Sequence, residues 1–100
     1  MVPVRYARQA LRCLAAIRRF ISIESPRNAE AVVRALVDAA DSLAAFPLRG
    51  RVVPEHGQED VRELLLRPYR IIYRVSVDEV VVLSVMHGHQ LLPGDVERED

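Results

Sequence analysis

The sequence predicts an α+β domain, built from a short N-terminal edge strand and an antiparallel helical hairpin packed on a small antiparallel β-sheet. Three observations predict it. Between Ala7 and Phe46 apolar side chains recur at spacings of three and four, with one break at Ser25-Pro26. From Val61 to His89 three apolar runs are separated by Pro68 and by an acidic turn at Asp78-Glu79. Val2 to Tyr6 has period-two character, with Pro3 where an interior strand would lose a hydrogen-bond donor, as an edge strand tolerates.

The first helix follows that strand. Ala10, Cys13, Leu14, Ile17, Phe20 and Ile21 form its inward stripe, while Arg8, Arg12, Arg18 and Arg19 lie largely off it and give a basic outer face. Such a face suits an acidic protein segment or nucleic acid, or serves only to meet solvent. Ser25-Pro26 starts the second helix, because a hydroxyl at the N-cap accepts an orphan backbone N–H and proline at the first helical position forfeits no bond. The short joint makes the two helices an antiparallel hairpin. Ala29, Val32, Val33, Leu36, Ala39, Ala40 and Leu43 face inward on helix two, with Arg34, Asp38 and Asp41 outside. The helical region ends before Pro47, which disfavours helical geometry at Phe46. The alanines let the helices approach closely, and both stripes are expected to cover one sheet face. Residues 47–60, with Pro47, Gly50, Pro54 and Gly57, read as one long loop of the kind that often carries function. His56 in that loop is expected in solvent.

In the meander, Tyr69, Ile71, Tyr73 and Val75 share one face and Arg70, Ile72 and Arg74 the other. Val80 to Met86 is almost wholly apolar and β-branched, the core strand. A two-residue turn at Val77-Asp78 pairs Ser76 with Glu79, Tyr73 with Val82 and Arg70 with Val85. The helix-covered face then takes Tyr69, Ile71, Tyr73, Val75, Val80, Val82 and Met86. The opposite face takes Arg70, Ile72, Arg74, Val81, Leu83, Val85 and His87, a half-apolar surface edged by arginine and open to a partner. A slip of one residue would invert one strand.

At 100 residues and 50% hydrophobic, the chain suits one small domain, 1–93, with an acidic tail at 94–100 that is expected to fray. Little stability is to spare at this size, and an obligate partner is in keeping with it. Cys13, the only cysteine, excludes an intrachain disulfide, reads as helix packing, and points to a reducing compartment. Arginines run through the whole first segment where a secretory signal would have a charged start and a clean apolar run. No stretch approaches a membrane span. The expected location is the cytoplasm. Net charge is zero, yet nine Arg face four acids in residues 1–51 and five face ten in residues 52–100, so the molecule is dipolar. Every basic residue is Arg, which makes a poor general base. There is no Gly-rich phosphate loop, paired-Cys site or Ser-His-Asp spacing. His87-Gly88-His89 offers two imidazoles without a third ligand, so no metal is expected; His87 ends the strand and Gly88 permits the turn out of it.

The order Arg62-Glu63-Leu64, Tyr69-Arg70-Ile71-Ile72-Tyr73-Arg74-Val75, a short acidic turn, a Val-rich strand and His87-Gly88 resembles the RelE/ParE superfamily of bacterial toxins. Phe46-Pro47-Leu48-Arg49-Gly50-Arg51 is similar to the Pro-x-x-Gly-Arg segment that precedes these strands there. The resemblance implies the toxin of a type II toxin–antitoxin module, in complex with a cognate antitoxin and without a cofactor. In the branch that acts as a ribosome-dependent mRNA endoribonuclease, it implies that Arg62 and Arg70 hold the scissile phosphate and that His87 handles protons. Three departures weigh against that branch: the loop has no Lys, Gln90 stands where a second Arg is expected, and no Tyr follows Tyr73. The ParE branch, which resembles the same fold with the ribonuclease residues lost, implies DNA gyrase as the target and no catalytic residues. Near-neutral charge suits a protein-binding poison better than a domain entering an anionic ribosomal site. The surfaces expected to meet antitoxin are the basic helix face, Arg8, Arg12 and Arg19, and the open sheet face, Ile72, Arg74, Val81, Leu83 and Val85. A toxin-fold domain kept only for complex formation is the third reading.

Overall fold

The computed structural model describes residues 1–55 and 57–88. Along the chain come β1 (Val4–Tyr6), α1 (Arg8–Ser22), α2 (Pro26–Asp41), a single 3-10 turn (Ser42–Ala44), β2 (Arg51–Val52), β3 (Val61–Leu66), β4 (Tyr69–Val75) and β5 (Val80–His87). The strands form one sheet in the order β1-β5-β4-β3-β2. The meander runs β3-β4-β5 as the sequence predicts. β1 pairs with β5 in parallel, Val4 opposite Val80 and Tyr6 opposite Val82, so the sheet is mixed where an antiparallel one was expected. A parallel pair needs a long crossover, and the helical hairpin with the rest of the meander provides it. Arg5 pins the edge strand further, donating from Nε and Nη2 to the Glu79 carboxylate at 3.2 and 3.0 Å.

Ser25 caps α2 as expected, its Oγ accepting from Asn28 N–H at 3.1 Å with Pro26 in the first turn. Ala10 and Leu14 of α1 and Leu36 and Ala40 of α2 pack on Ile71, Val82 and Val85 of the sheet. Phe20 departs from the expected inward stripe and is 76% exposed. At 3.6 residues per turn it lies roughly 100° from the Ala10-Leu14-Ile21 line, on the flank of the helix.

The β4–β5 pairing follows the predicted register from Val75↔Val80 to Tyr73↔Val82 and then shifts, because Ile72 pairs with Ser84 and Leu83 has no partner in β4. An extra residue in one strand of an antiparallel pair is a bulge, and it reverses which side chains face which way beyond it. Arg70 therefore pairs with Met86 in place of Val85. Val85 joins the helix-side core, Met86 joins Ile72, Val81 and Leu83 on the far face, and His87 pairs with Tyr69.

The far face is closed, contrary to the expectation of an open one. Ile72, Val81 and Leu83 are all 3% exposed or less in the chain by itself, and Val85, expected beside them, is buried on the helix side. Val53, just past β2, packs with Val61, Ile72, Val81, Leu83 and Met86. β2 itself lies within the segment expected to be loop, pairing Arg51 with Glu63 and Val52 with Arg62. Two residues are too few to show a period. No helix among the described residues is long and apolar enough to cross a membrane. His56, His89, Gln90 and the acidic tail at 94–100 lie outside the described residues.

Candidate functional site: an ion-pair cluster, a helix face and a groove

On the far face the side chains of β2, β3 and β4 converge on Glu63. Its carboxylate is fully buried and accepts from Arg70 Nε at 2.7 Å on one oxygen and from Arg51 Nε on the other. Arg70 turns its Nη2 to the Glu55 carboxylate, 2.9 Å from one oxygen and 3.1 Å from the other. The guanidinium is thus shared between a buried acid and an acid on an exposed loop. Burial works to lower the Arg70 pKa, and the bonds from Glu63 and Glu55 outweigh it, holding the residue charged. Glu55 lies below the ordinary carboxylate range, chiefly through a bond to its own backbone and then through Arg70.

Arg62 has a different occupation. Its Nη1 donates to the Gly50 carbonyl at 3.0 Å and its Nε to the Glu59 carbonyl at 3.1 Å. Gly50 in turn donates its N–H to the buried Tyr73 hydroxyl at 2.8 Å. Burial raises the Tyr73 pKa, against the opposite pull of the Gly50 N–H and the nearby Arg62 and Arg49. The Pro-x-x-Gly-Arg segment is therefore a structural joint between β2 and the end of β4.

The three residues named for ribonuclease chemistry do not assemble. Arg62 pairs with Tyr73 and His87 with Tyr69, which puts both on the helix side but four residues apart along β4, about 13 Å. Arg70 points to the far face with Glu63 and Glu55. His87 stacks edge-on against Tyr69, ring centroids 6.1 Å apart. The bulge separates them, since without it His87 would share the Arg70 face. Glu63 and Glu55 were missed in the sequence. The signal for Glu63 was an acid inside the apolar strand Val61–Leu66, which had to find a cation on a neighbouring strand.

The residues named for antitoxin divide in two. Arg8, Arg12 and Arg19 stand exposed along α1, without an ion pair among the described residues, whereas Arg18 pairs with Glu30 of α2. Arg74 is half-buried with its Nε 3.4 Å from Asp60 Oδ2, and Ile72, Val81, Leu83 and Val85 belong to the core. Beside α1 runs a cavity of about 460 Å3 lined by Cys13, Ala16, Ile17 and Phe20 on the helix and by Tyr69, Val85 and His87 on the sheet. Its floor is the outer edge of β5, with which no strand pairs beyond Val82 among the described residues. Cys13 Sγ lies 3.7 Å from Ser84 Oγ within it.

Comparison with known proteins agrees with this architecture. The profile of the family described as ParE toxin of type II toxin–antitoxin system, parDE, matches residues 4–92. The protein Y4kP of Sinorhizobium fredii is 41% identical over 93 residues, covering 90% of this chain and 92% of its own. Toxin RelE2 of Caulobacter vibrioides is 37% identical over 92 residues, 91% of this chain and all of its own. Among solved structures, the chromosomal ParDE system of P. aeruginosa superposes with a TM-score of 0.72 at 24% identity, over 87% of this chain and 96% of that one, a likeness of fold. The toxin–antitoxin complex RelBE2 of Mycobacterium tuberculosis matches with a TM-score of 0.63 at 29% identity, over 87% and 93%. Matched over residues 4–92 by the family model and 41% identical to a relative over most of both chains, the chain belongs to the ParE toxin family of type II toxin–antitoxin systems.

Proposed function

We propose that this toxin acts by binding, with DNA gyrase as its target and no catalytic residues of its own, and that a cognate antitoxin neutralises it. The observation that carries this reading is the occupation of Arg70. A ribonuclease of this fold needs that guanidinium for a phosphate, together with a proton-handling group close by. Here Arg70 is held by two carboxylates, Arg62 is spent on backbone carbonyls, and His87 lies on the other face. Relatives carry both ParE and RelE names, so names do not separate the two activities. Induced expression is expected to arrest growth, and the purified protein to inhibit gyrase supercoiling without cutting mRNA on translating ribosomes. His87→Ala should leave both results largely unchanged. Codon-specific mRNA cleavage that His87→Ala abolishes in a folded protein would put the endoribonuclease reading in its place.

The antitoxin surface in this reading is the basic face of α1 with the adjoining groove. Arg8, Arg12 and Arg19 are exposed and spaced along one line of the helix, so an acidic segment laid over them neutralises all three. Reversing the three to Glu should weaken the toxin–antitoxin complex at least tenfold, with a reduced salt dependence, while the unfolding temperature stays within a few degrees because exposed sites tolerate change. An affinity unchanged by the triple reversal across a salt titration removes α1 from the interface.

A further inference from the structure

The connection from the 3-10 turn to β2 exposes two large apolar side chains side by side. Phe46 is 66% and Leu48 64% exposed, and with Ala45, Pro47 and Arg49 they border a shallow concavity of about 470 Å3. Exposed apolar residues are common singly. What distinguishes this pair is that hydrogen bonds hold the turn at both ends. On one side Phe46 N–H donates to the Ser42 carbonyl at 3.3 Å, and Arg49 Nη1 donates to Ser42 Oγ at 2.6 Å. The segment closes on itself through Arg49 N–H to the Phe46 carbonyl at 3.1 Å. On the other side Gly50 is fixed to the buried Tyr73 hydroxyl at 2.8 Å. An apolar turn that is held rigid loses little freedom on binding, which is what a protein contact with high affinity per residue requires.

We propose that Phe46 and Leu48 form the contact through which the toxin grips its protein target, at a recess that is apolar within and acidic at its rim. This rests on the reading of the chain as a toxin that acts by binding. Charge names the chemistry of the partner: among the described residues, Arg49 is the one charged side chain bordering the concavity and no acid borders it, while the exposed Arg51 beyond it is already paired with Glu63. A second copy of this chain is disfavoured for the same reason, since a two-fold contact would set Arg49 against Arg49. Position separates this contact from the antitoxin surface. The turn is anchored at Tyr73, whereas the groove beside α1 opens at Tyr69, about 13 Å away along β4. The turn and the groove therefore lie toward different ends of the sheet.

The test is the full-length double variant Phe46→Ser/Leu48→Ser, with Leu48→Gln alone as a second variant in case the double one fails to fold. Both are compared with wild type for unfolding temperature, growth arrest on induction, the concentration that half-inhibits purified gyrase, and affinity for the antitoxin encoded beside the toxin. The expected result is a folded protein with antitoxin affinity within twofold of wild type, loss of growth arrest, and at least a tenfold rise in the half-inhibiting concentration. Growth arrest retained by a folded variant overturns the proposal. So does a tenfold loss of antitoxin affinity, which assigns the turn to the antitoxin, or a wild-type dimer that the variant dissolves, which assigns it to a second copy. A wild type that does not arrest growth overturns it as well. If wild type arrests growth but leaves gyrase untouched, the gyrase reading fails, and the turn is judged on growth arrest alone.

Discussion

Replacing Arg70 by alanine is expected to destabilise the folded chain by about 3–5 kcal/mol, measured by urea unfolding of the free toxin. The reason is the carboxylate left behind. Glu63 is fully buried, and among the described residues Arg70 provides the one partner that is itself buried; Arg51, on the other oxygen, is mostly in solvent. A buried charge stripped of its close partner retains its desolvation penalty and loses the attraction that offset it. The double replacement Arg70→Met/Glu63→Leu removes both charges and should recover most of the loss, because a well-packed apolar pair of similar volume often equals a buried ion pair. A single replacement that costs under about 1 kcal/mol would mean that water reaches Glu63, and that Arg70 stands ready for a ligand and is not committed to the fold. The stability measurement thus bears on activity: the more strongly Arg70 is bound within the chain, the less of it remains for a phosphate.

Much of this architecture was legible because long, periodic segments state their own structure. The helical stripes apart from Phe20, the Ser25-Pro26 start and the three strands of the meander stand where their patterns put them. What escaped was local and two-sided. The bulge at Leu83 follows no composition signal, since Val80 to Met86 is apolar at every position but Ser84 and reads equally well in either parity. That single residue moved Val85, Met86 and His87 to the opposite faces and dissolved the expected grouping of Arg70 with His87. The closed far face escaped for a related reason. Val53 comes from a segment rich in Pro, Gly and charge, whose composition says loop and conceals that one valine seals the core. Phe20 shows the limit of a stripe read by spacing alone, as residues at its flank are apolar whether they meet the sheet or border a groove.

Gly50→Ala is expected to cost about 3 kcal/mol, at the upper end of what overpacking a core costs. A Cβ at this position would stand 2.4 Å from the Glu63 carbonyl oxygen and 2.6 Å from the Tyr73 hydroxyl. The fully buried phenol has little room to give, and the Glu63 carbonyl has none, because Glu63 is paired with Arg51 in β2 and with Ile72 in β4. Relief must come from β2 moving off the sheet, which would strain Arg51 against Glu63 and draw Gly50 away from the Tyr73 hydroxyl and from Arg62. Tyr73→Phe distinguishes the two contacts. Alone it removes the acceptor of the Gly50 N–H and should cost about 1–2 kcal/mol. Combined with Gly50→Ala it should rescue little, because the carbonyl clash remains. Full rescue in the double variant would locate the crowding at the hydroxyl, and an alanine tolerated within about 0.5 kcal/mol would show that β2 has room to shift. The same variant reports on the apolar turn, whose rigidity depends on Gly50: if Phe46 and Leu48 grip the target, loosening their anchor should weaken target inhibition in step with the loss of stability, at a temperature where the variant is still folded.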